Sequence, residues 1–136
     1  MQYRKKARDG VYKLIYEFLF SGEANERTFA IMTAADMPAE ELDYIKRAYY
    51  GVIEHIDELK SIVAQYAVGF DISRIYKPDL AALVLAIFEM KYMDDIPLNV
   101  SISEAVELVK IYSTEKSHAF VNGILSSVYK NITSGK

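Results

Sequence analysis

The chain is expected to be all-α, with about seven helices, and three features of the sequence say so. Its apolar residues recur every three or four positions rather than alternating. Only three prolines, Pro38, Pro78 and Pro97, punctuate the 136 residues. Helix stop and start signals stand between the periodic stretches, as in Ser21-Gly22 and Lys77-Pro78-Asp79.

Val11, Leu14, Ile15 and Phe18 fall at i, i+3, i+4 and i+7, which predicts a first helix over Tyr3 to Phe20. A second, short helix is expected over Glu23 to Thr33. A third opens near Pro38, since proline suits the first helical position, where its missing N–H would be unpaired anyway. From Leu42 to Val63 a long apolar stripe follows, interrupted by Gly51. A glycine inside a helix costs about 1 kcal/mol relative to alanine, so it signals either close helix approach or a break.

Val68-Gly69-Phe70-Asp71 reads as the join between an N-terminal subdomain, 1–68, and a C-terminal one, 69–136, the two packing as one domain. Ile72 to Ile75 can form a single helical turn. From Asp79 to Met93 nearly every residue is apolar, which predicts a central helix surrounded on most sides and ended by Asp94-Asp95-Ile96-Pro97. Ser101 and Glu104 have the spacing of a capping box opening a helix that runs to about Tyr112. A last helix is expected from Ser117 to Ile132, with Phe120, Ile124, Leu125 and Val128 inward, Gly123 allowing close packing, and a frayed tail from Thr133 to Lys136.

Composition narrows the function. With no cysteine, disulfides, thiolate metal sites and cysteine nucleophiles are excluded, and a reducing compartment, the cytoplasm, is expected. The longest apolar run, Leu80 to Met90, contains Glu89 and falls short of the ~20 residues of a membrane span. The opening shows no apolar run ending at a small-residue cleavage site, so neither export nor membrane attachment is expected. The glycines form no phosphate-binding loop. His55 and His118 are far apart in sequence; His55 and Glu58 could share a helix face, but one such pair is weak evidence for a metal, and none is expected, nor any cofactor. The paired carboxylates sit in a turn or at a helix start, where negative charge is stabilising, and make no acid/base couple. An enzyme is not expected.

Charge is unevenly placed. Residues 1–13 hold Arg4, Lys5, Lys6, Arg8 and Lys13 against Asp9, a net +4 in a chain of −3, which leaves −7 for the rest. A basic head on an acidic body is a candidate footprint for a polyanion. Tyr3, Tyr12 and Tyr16 share its helix, and a part-exposed phenol can stack on an unpaired base.

The order of these features is specific. Arg4-Lys5-Lys6-Ala7-Arg8-Asp9 followed by Leu14-Ile15-Tyr16 resembles the arginine-rich opening of the NusB family of transcription antitermination factors. The second half resembles it more strongly: Pro78-Asp79, Leu83, Leu85-Ala86, Phe88-Glu89, Asp94-Asp95-Ile96-Pro97, Val100, Ile102, Glu104-Ala105-Val106-Glu107-Leu108, Lys110, Ser117-His118 and Phe120-Val121-Asn122-Gly123-Ile124-Leu125. The resemblance covers the whole chain and is weakest between residues 22 and 43. It implies two packed helical subdomains and a protein that binds boxA-type single-stranded RNA with the NusE ribosomal protein, within an RNA polymerase antitermination complex on ribosomal RNA operons. Carried over residue by residue, it implies phosphate contacts from Arg4, Lys5, Lys6 and Arg8, and places Tyr16, Phe120 and Asn122 at the RNA surface. Asp79, Leu80 and Leu83, at the start of their helix, are implied to face the partner.

Departures accompany it. Basic residues common in the family are replaced at Leu80 and Val84; Ser103 and Ala119 replace an asparagine and a lysine; Lys116 stands where relatives often carry an acid and can return a positive charge to the RNA surface. Weak RNA binding by the isolated protein, with specificity depending on a partner, is therefore expected. The competing expectation is a protein-binding helical adaptor with little intrinsic RNA affinity. The sequence leaves open a homodimer that buries the RNA face.

Overall fold

The computed structural model describes residues 2–33 and 36–134, which form seven α-helices and one 3₁₀ turn. Helix α1 spans Gln2–Ser21, α2 Glu26–Thr33, α3 Ala39–Glu54, α4 Ile56–Tyr66, α5 Lys77–Tyr92, α6 Leu98–Tyr112 and α7 Ser117–Ser134, with the 3₁₀ turn at Ile72–Arg74. The expected all-α class is what is found. Among the described residues no helix is long and apolar enough to cross a membrane.

Helix α5 is the axis. Asp79 through Met90 are all buried, as a helix that is apolar all round requires. It packs against α1, α3 and α4 on one side and α6 and α7 on the other, so a single core runs through both sets. Helix α1 buries Val11, Leu14, Ile15 and Phe18 against it, as its spacing predicts. That helix stops where Gly22, at φ +80°, sends its N–H back to the Phe18 carbonyl, a left-handed cap open to glycine without strain.

Four expectations need correction. The second helix starts at Glu26, not Glu23, because Ser21 ties up the Glu23 backbone and Asn25 Oδ1 accepts from the Thr28 N–H as the cap. The long stripe from Leu42 to Val63 is two helices, broken at His55 (φ −106°, ψ 16°), whose ring stacks on Tyr92 at 4.4 Å. Ser101 and Glu104 form no capping box. Helix α6 already starts at Leu98, behind Pro97, so Ser101 lies inside it and donates its hydroxyl to Glu89 at 2.8 Å. On α7, Val121 is fully buried while Phe120 is only partly so; of the expected frayed tail, Thr133 and Ser134 are helical, and Gly135 and Lys136 lie outside the described residues.

The two notable glycines separate cleanly. A Cβ on Gly51 would stand 2.1 Å from Phe88 Cζ, so this glycine exists for close approach of α3 to α5. Nothing lies within 4 Å of a Cβ on Gly123, so the close packing expected there is absent. Gly51→Ala should therefore destabilise by about 1–3 kcal/mol through overpacking, whereas Gly123→Ala should stabilise by up to ~1 kcal/mol through helix propensity. Thermal or urea unfolding of the two variants reads the opposite signs, and Phe88→Leu should recover part of the Gly51→Ala loss.

Candidate nucleic-acid interface

The basic head divides into a buried part and a solvent-facing part. Arg8 is only 4% exposed and Glu89, on α5, 1%. Arg8 Nε donates to Glu89 Oε2 at 2.9 Å and Arg8 Nη2 to Oε1 at 3.1 Å, a bidentate pair matching the planar fork of arginine to a carboxylate. Tyr44 of α3 and Ser101 of α6 donate to the same carboxylate. Burial alone would lower the Arg8 pKa, but Tyr44, the hydrogen bond and charge of Glu89 and the charge of Glu104 outweigh it, so the guanidinium is held charged. The expectation that Arg8 contacts phosphate is corrected by this position: its donors are committed inside the core.

Removing one partner of such a pair strands a buried charge, at a cost of about 3–5 kcal/mol, whereas replacing both by apolar groups of similar size is far better tolerated. Glu89→Leu and Arg8→Met should each be strongly destabilising in chemical denaturation. The double variant should lose much less than the sum of the two; additivity would mean that the pair does not act as a unit.

The outward cations lie along α1. Arg4 pairs with Glu41 of α3 and lies over the Tyr44 ring at 4.4 Å, leaving its side chain half-buried. Lys5 Nζ is 3.1 Å from Glu104 of α6 and remains largely in solvent. Lys6 is exposed and pairs with no carboxylate among the described residues. Two turns on, Lys13 Nζ meets Asp9 at 3.0 Å and sits 5.3 Å from the centre of the Tyr112 ring; Asp9 first, then Tyr112, raises its pKa. Lys13 and Tyr112 were not among the expected contacts, although the four-residue spacing of Asp9 and Lys13 is visible in the sequence.

The start of α5 is held from both sides. Tyr12 of α1 donates its hydroxyl to the Pro78 carbonyl at 2.9 Å, and its ring stacks on Tyr112 at 5.5 Å. Burial, then the charge of Asp79, raises the Tyr12 pKa, so it stays a donor. On the far side Ser113 donates to Asp79 at 2.7 Å and joins Ser117 and Thr114 in a hydroxyl cluster. Asp79 thus braces the site from a buried position. Leu80 and Leu83 are buried as well, Leu83 completely, so the expected partner contacts there are corrected to core positions: a helix enclosed on all sides has no face to offer. Val84 is also fully buried, so the apolar residues at 80 and 84 both belong to the core.

Tyr16 is at the surface, edge-on to Phe20 at 5.0 Å, with Lys77 over the Phe20 ring. Phe120 is edge-on to Phe70 at 5.1 Å, and Lys116 is exposed one turn before it. Asn122 is exposed too, but two residues along a helix is about 200° of rotation, which turns it away from the Phe120 face. Helices α1 and α7 share no substantial packing. They are joined by three consecutive clefts. One, of about 540 Å³, lies between Tyr3 and Ile111; the next, of about 240 Å³, between Tyr16, Pro78 and Tyr112; the last, of about 230 Å³, between Asp79, Lys116 and Phe120. Ile111 and Tyr112 are neighbours, as are Pro78 and Asp79, and Tyr112 bonds Asp9 of the first cleft, so the three clefts adjoin as a band of separate hollows with lysines and aromatic rings on their walls.

Away from the band, the His55–Glu58 pair is part of a helix-to-helix tie. Glu58 accepts from Lys91 and Tyr92, each at 2.6 Å, which lowers its pKa, with His55 at 3.4 Å. His118 is exposed at the start of α7.

The NusB family model matches residues 3–130. The transcription antitermination protein NusB of Agathobacter rectalis is 40% identical over 126 residues, covering 90% of this chain and 96% of that protein. That of Thermoanaerobacter sp. strain X514 is 37% identical over 128 residues, covering 94% and 91%. A chain in the crystal structure of antitermination factors NusB and NusE in complex with dsRNA superposes with a TM-score of 0.84 at 29% identity, covering 96% of this chain and 98% of that one. The sequence pattern, the seven-helix architecture and these matches over nearly the full length agree: the chain belongs to the NusB family of transcription antitermination proteins.

Proposed function

We propose that this protein is an RNA-binding antitermination factor that takes up boxA-like single-stranded RNA together with the NusE ribosomal protein. In this reading it acts in the cytoplasm within an RNA polymerase antitermination complex and supports processive transcription of ribosomal RNA operons. The observation that carries the reading is the band of clefts, in which Lys5, Lys6 and Lys13 stand beside the faces of Tyr3, Tyr16 and Tyr112. Cations neutralise phosphates and release counterions, and aromatic planes take up unstacked bases. The relative crystallised with NusE and double-stranded RNA supports both partners.

Within this reading Lys5, Lys6 and Lys13 supply the phosphate contacts, with Arg4 beside them. Tyr16 and Phe120 supply stacking surfaces and Lys116 a cation at the α7 end. Arg8 and Asp79 act from inside by fixing α1 and the start of α5. Each phosphate contact on a single strand contributes about −0.7 to the slope of log K against log salt. Replacing Lys5, Lys6 and Lys13 together by alanine should weaken binding of a boxA-like RNA and flatten that slope by about two units. An unchanged slope would count against the reading.

A second reading, a helical adaptor for a protein with little RNA affinity of its own, is favoured by one observation: Arg4, Lys5 and Lys13 each already face an acid. Titrating RNA with and without NusE separates the two, because a pure protein module forms the binary complex yet gains no RNA affinity. Glu104 bears on the same point, since it competes with phosphate for Lys5. Glu104→Gln should tighten RNA binding by up to about fivefold, the worth of an exposed ion pair of ~1 kcal/mol, while Glu107→Gln, three residues on, should change it less.

A further inference from the structure

We infer that the cleft between Tyr3 and Ile111 is a nucleobase subsite, in which one unstacked base of the bound RNA lies against the Tyr3 ring without being identified. The inference rests on the RNA-binding reading and deepens it, giving Tyr3 and Ile111 a specific contact where that reading assigns stacking only to Tyr16 and Phe120.

Tyr3 is in the first turn of α1 and Ile111 in the last turn of α6, and they face each other across an open cleft of about 540 Å³. Both are unusually exposed for their type, Tyr3 at 50% and Ile111 at 67%. An exposed isoleucine and an exposed tyrosine across an open cleft form an apolar surface that a flat, apolar-faced ligand would cover. The rim selects the ligand. Lys5 and Lys6 border the cleft, and Lys5 holds Glu104 only through solvent-exposed contacts, so both can reach phosphates on either side of a base seated below. The cleft adjoins, across the Tyr112–Asp9 hydrogen bond, the one that holds Lys13 and Tyr16, so a strand following the lysines passes over it.

The absence of base identity follows from Asp9. It is the acceptor in the cleft wall best placed to read a base edge, but Tyr112 donates to its Oδ1 and Lys13 pairs with its Oδ2 at 3.0 Å. With each oxygen already turned to a partner in the fold, the broadest surface left to a base in the cleft is a ring face, and every base has one. Stacking of this kind is tolerant of sequence.

The test measures affinity for a boxA-like RNA, with NusE present, for wild type and for Tyr3→Ala, Tyr3→Phe and Ile111→Ser. It uses an RNA series carrying one abasic position at a time. Tyr3→Ala should weaken binding about 5- to 10-fold, the lower end of what stacking one base contributes, without changing the salt slope. Tyr3→Phe should keep wild-type affinity. One abasic position should weaken wild type by a similar factor and Tyr3→Ala no further, and any of the four bases there should serve equally. Both side chains are exposed, so unfolding midpoints should stay at the wild-type value.

If no abasic position loses its effect in Tyr3→Ala, the subsite is wrong even though lysine-dependent RNA binding stands. If Tyr3→Ala and Ile111→Ser weaken NusE binding but not RNA binding, the cleft is a protein contact and the inference is overturned. If wild type with NusE binds no RNA, the proposed function fails first and takes this inference with it.

Discussion

The Glu89 carboxylate is the point through which four helices are fixed. It stands on the enclosed helix α5 and accepts from Arg8 of α1, Tyr44 of α3 and Ser101 of α6. Taking an ion pair out of water is costly, and greasy replacements of the same volume often hold a fold as well or better, so the network is not explained by stability alone. What it does supply is a unique rotation for α1. A helix that must put Arg8 into the core has Ala7, Val11, Leu14 and Ile15 buried with it and leaves Lys5, Lys6 and Lys13 in solvent. An apolar stripe by itself would tolerate small rolls of the helix, whereas a two-point hydrogen-bonded pair does not.

From that rotation the rest of the band follows. Tyr12, one turn beyond Arg8, is aimed at the Pro78 carbonyl, and Ser113 reaches Asp79 from the opposite side. The leading and closing helices therefore never need to touch. Their relative placement is transmitted through the first turn of α5, which explains why a buried aspartate sits at that turn with its acceptor satisfied. The solvent-facing side chains of the band are carried by α1, α6 and α7, while the groups that set their spacing lie beneath the surface.

Much of this was legible in the sequence, and each miss lies where local spacing does not report the tertiary surroundings. Helix α5 was readable because ten of its twelve enclosed residues are apolar, and α1 because its stripe is regular. Ser101 and Glu104 have the spacing of a capping box, yet both serve tertiary partners: Ser101 donates to Glu89, and Glu104 faces Lys5 and Arg8. Arg8 sits in a run of surface cations and differs from its neighbours only in lying one turn before Val11 and Tyr12, on the inward stripe. Leu80 and Leu83 were implied as partner contacts by their place at the start of a helix, but the enclosure that makes α5 legible also removes them from any surface. At His55 the apolar stripe continues unbroken, so the change of helix direction leaves no mark in periodicity.

The division of labour between arginine and lysine follows from the same geometry. Arg4 and Arg8, whose guanidinium planes meet a carboxylate and the Tyr44 ring, are at the places where a fixed, planar fork is used. Lys5, Lys6, Lys13 and Lys116, compact charges on flexible stems, are at the surface. Lysine neutralises a phosphate without dictating its orientation, so under the proposed function the α1 part of the band attracts a strand more than it aligns it, and among the described residues the one planar fork along the clefts is that of Arg74, exposed beside Lys116 and Phe120. Alignment must then come from groups with shape, the faces of Tyr16, Tyr112 and Phe120 and the surface of a second protein. Under the proposed function, a leading helix that commits both of its arginines to carboxylates of neighbouring helices and turns lysines outward leaves selectivity to the surface of a partner.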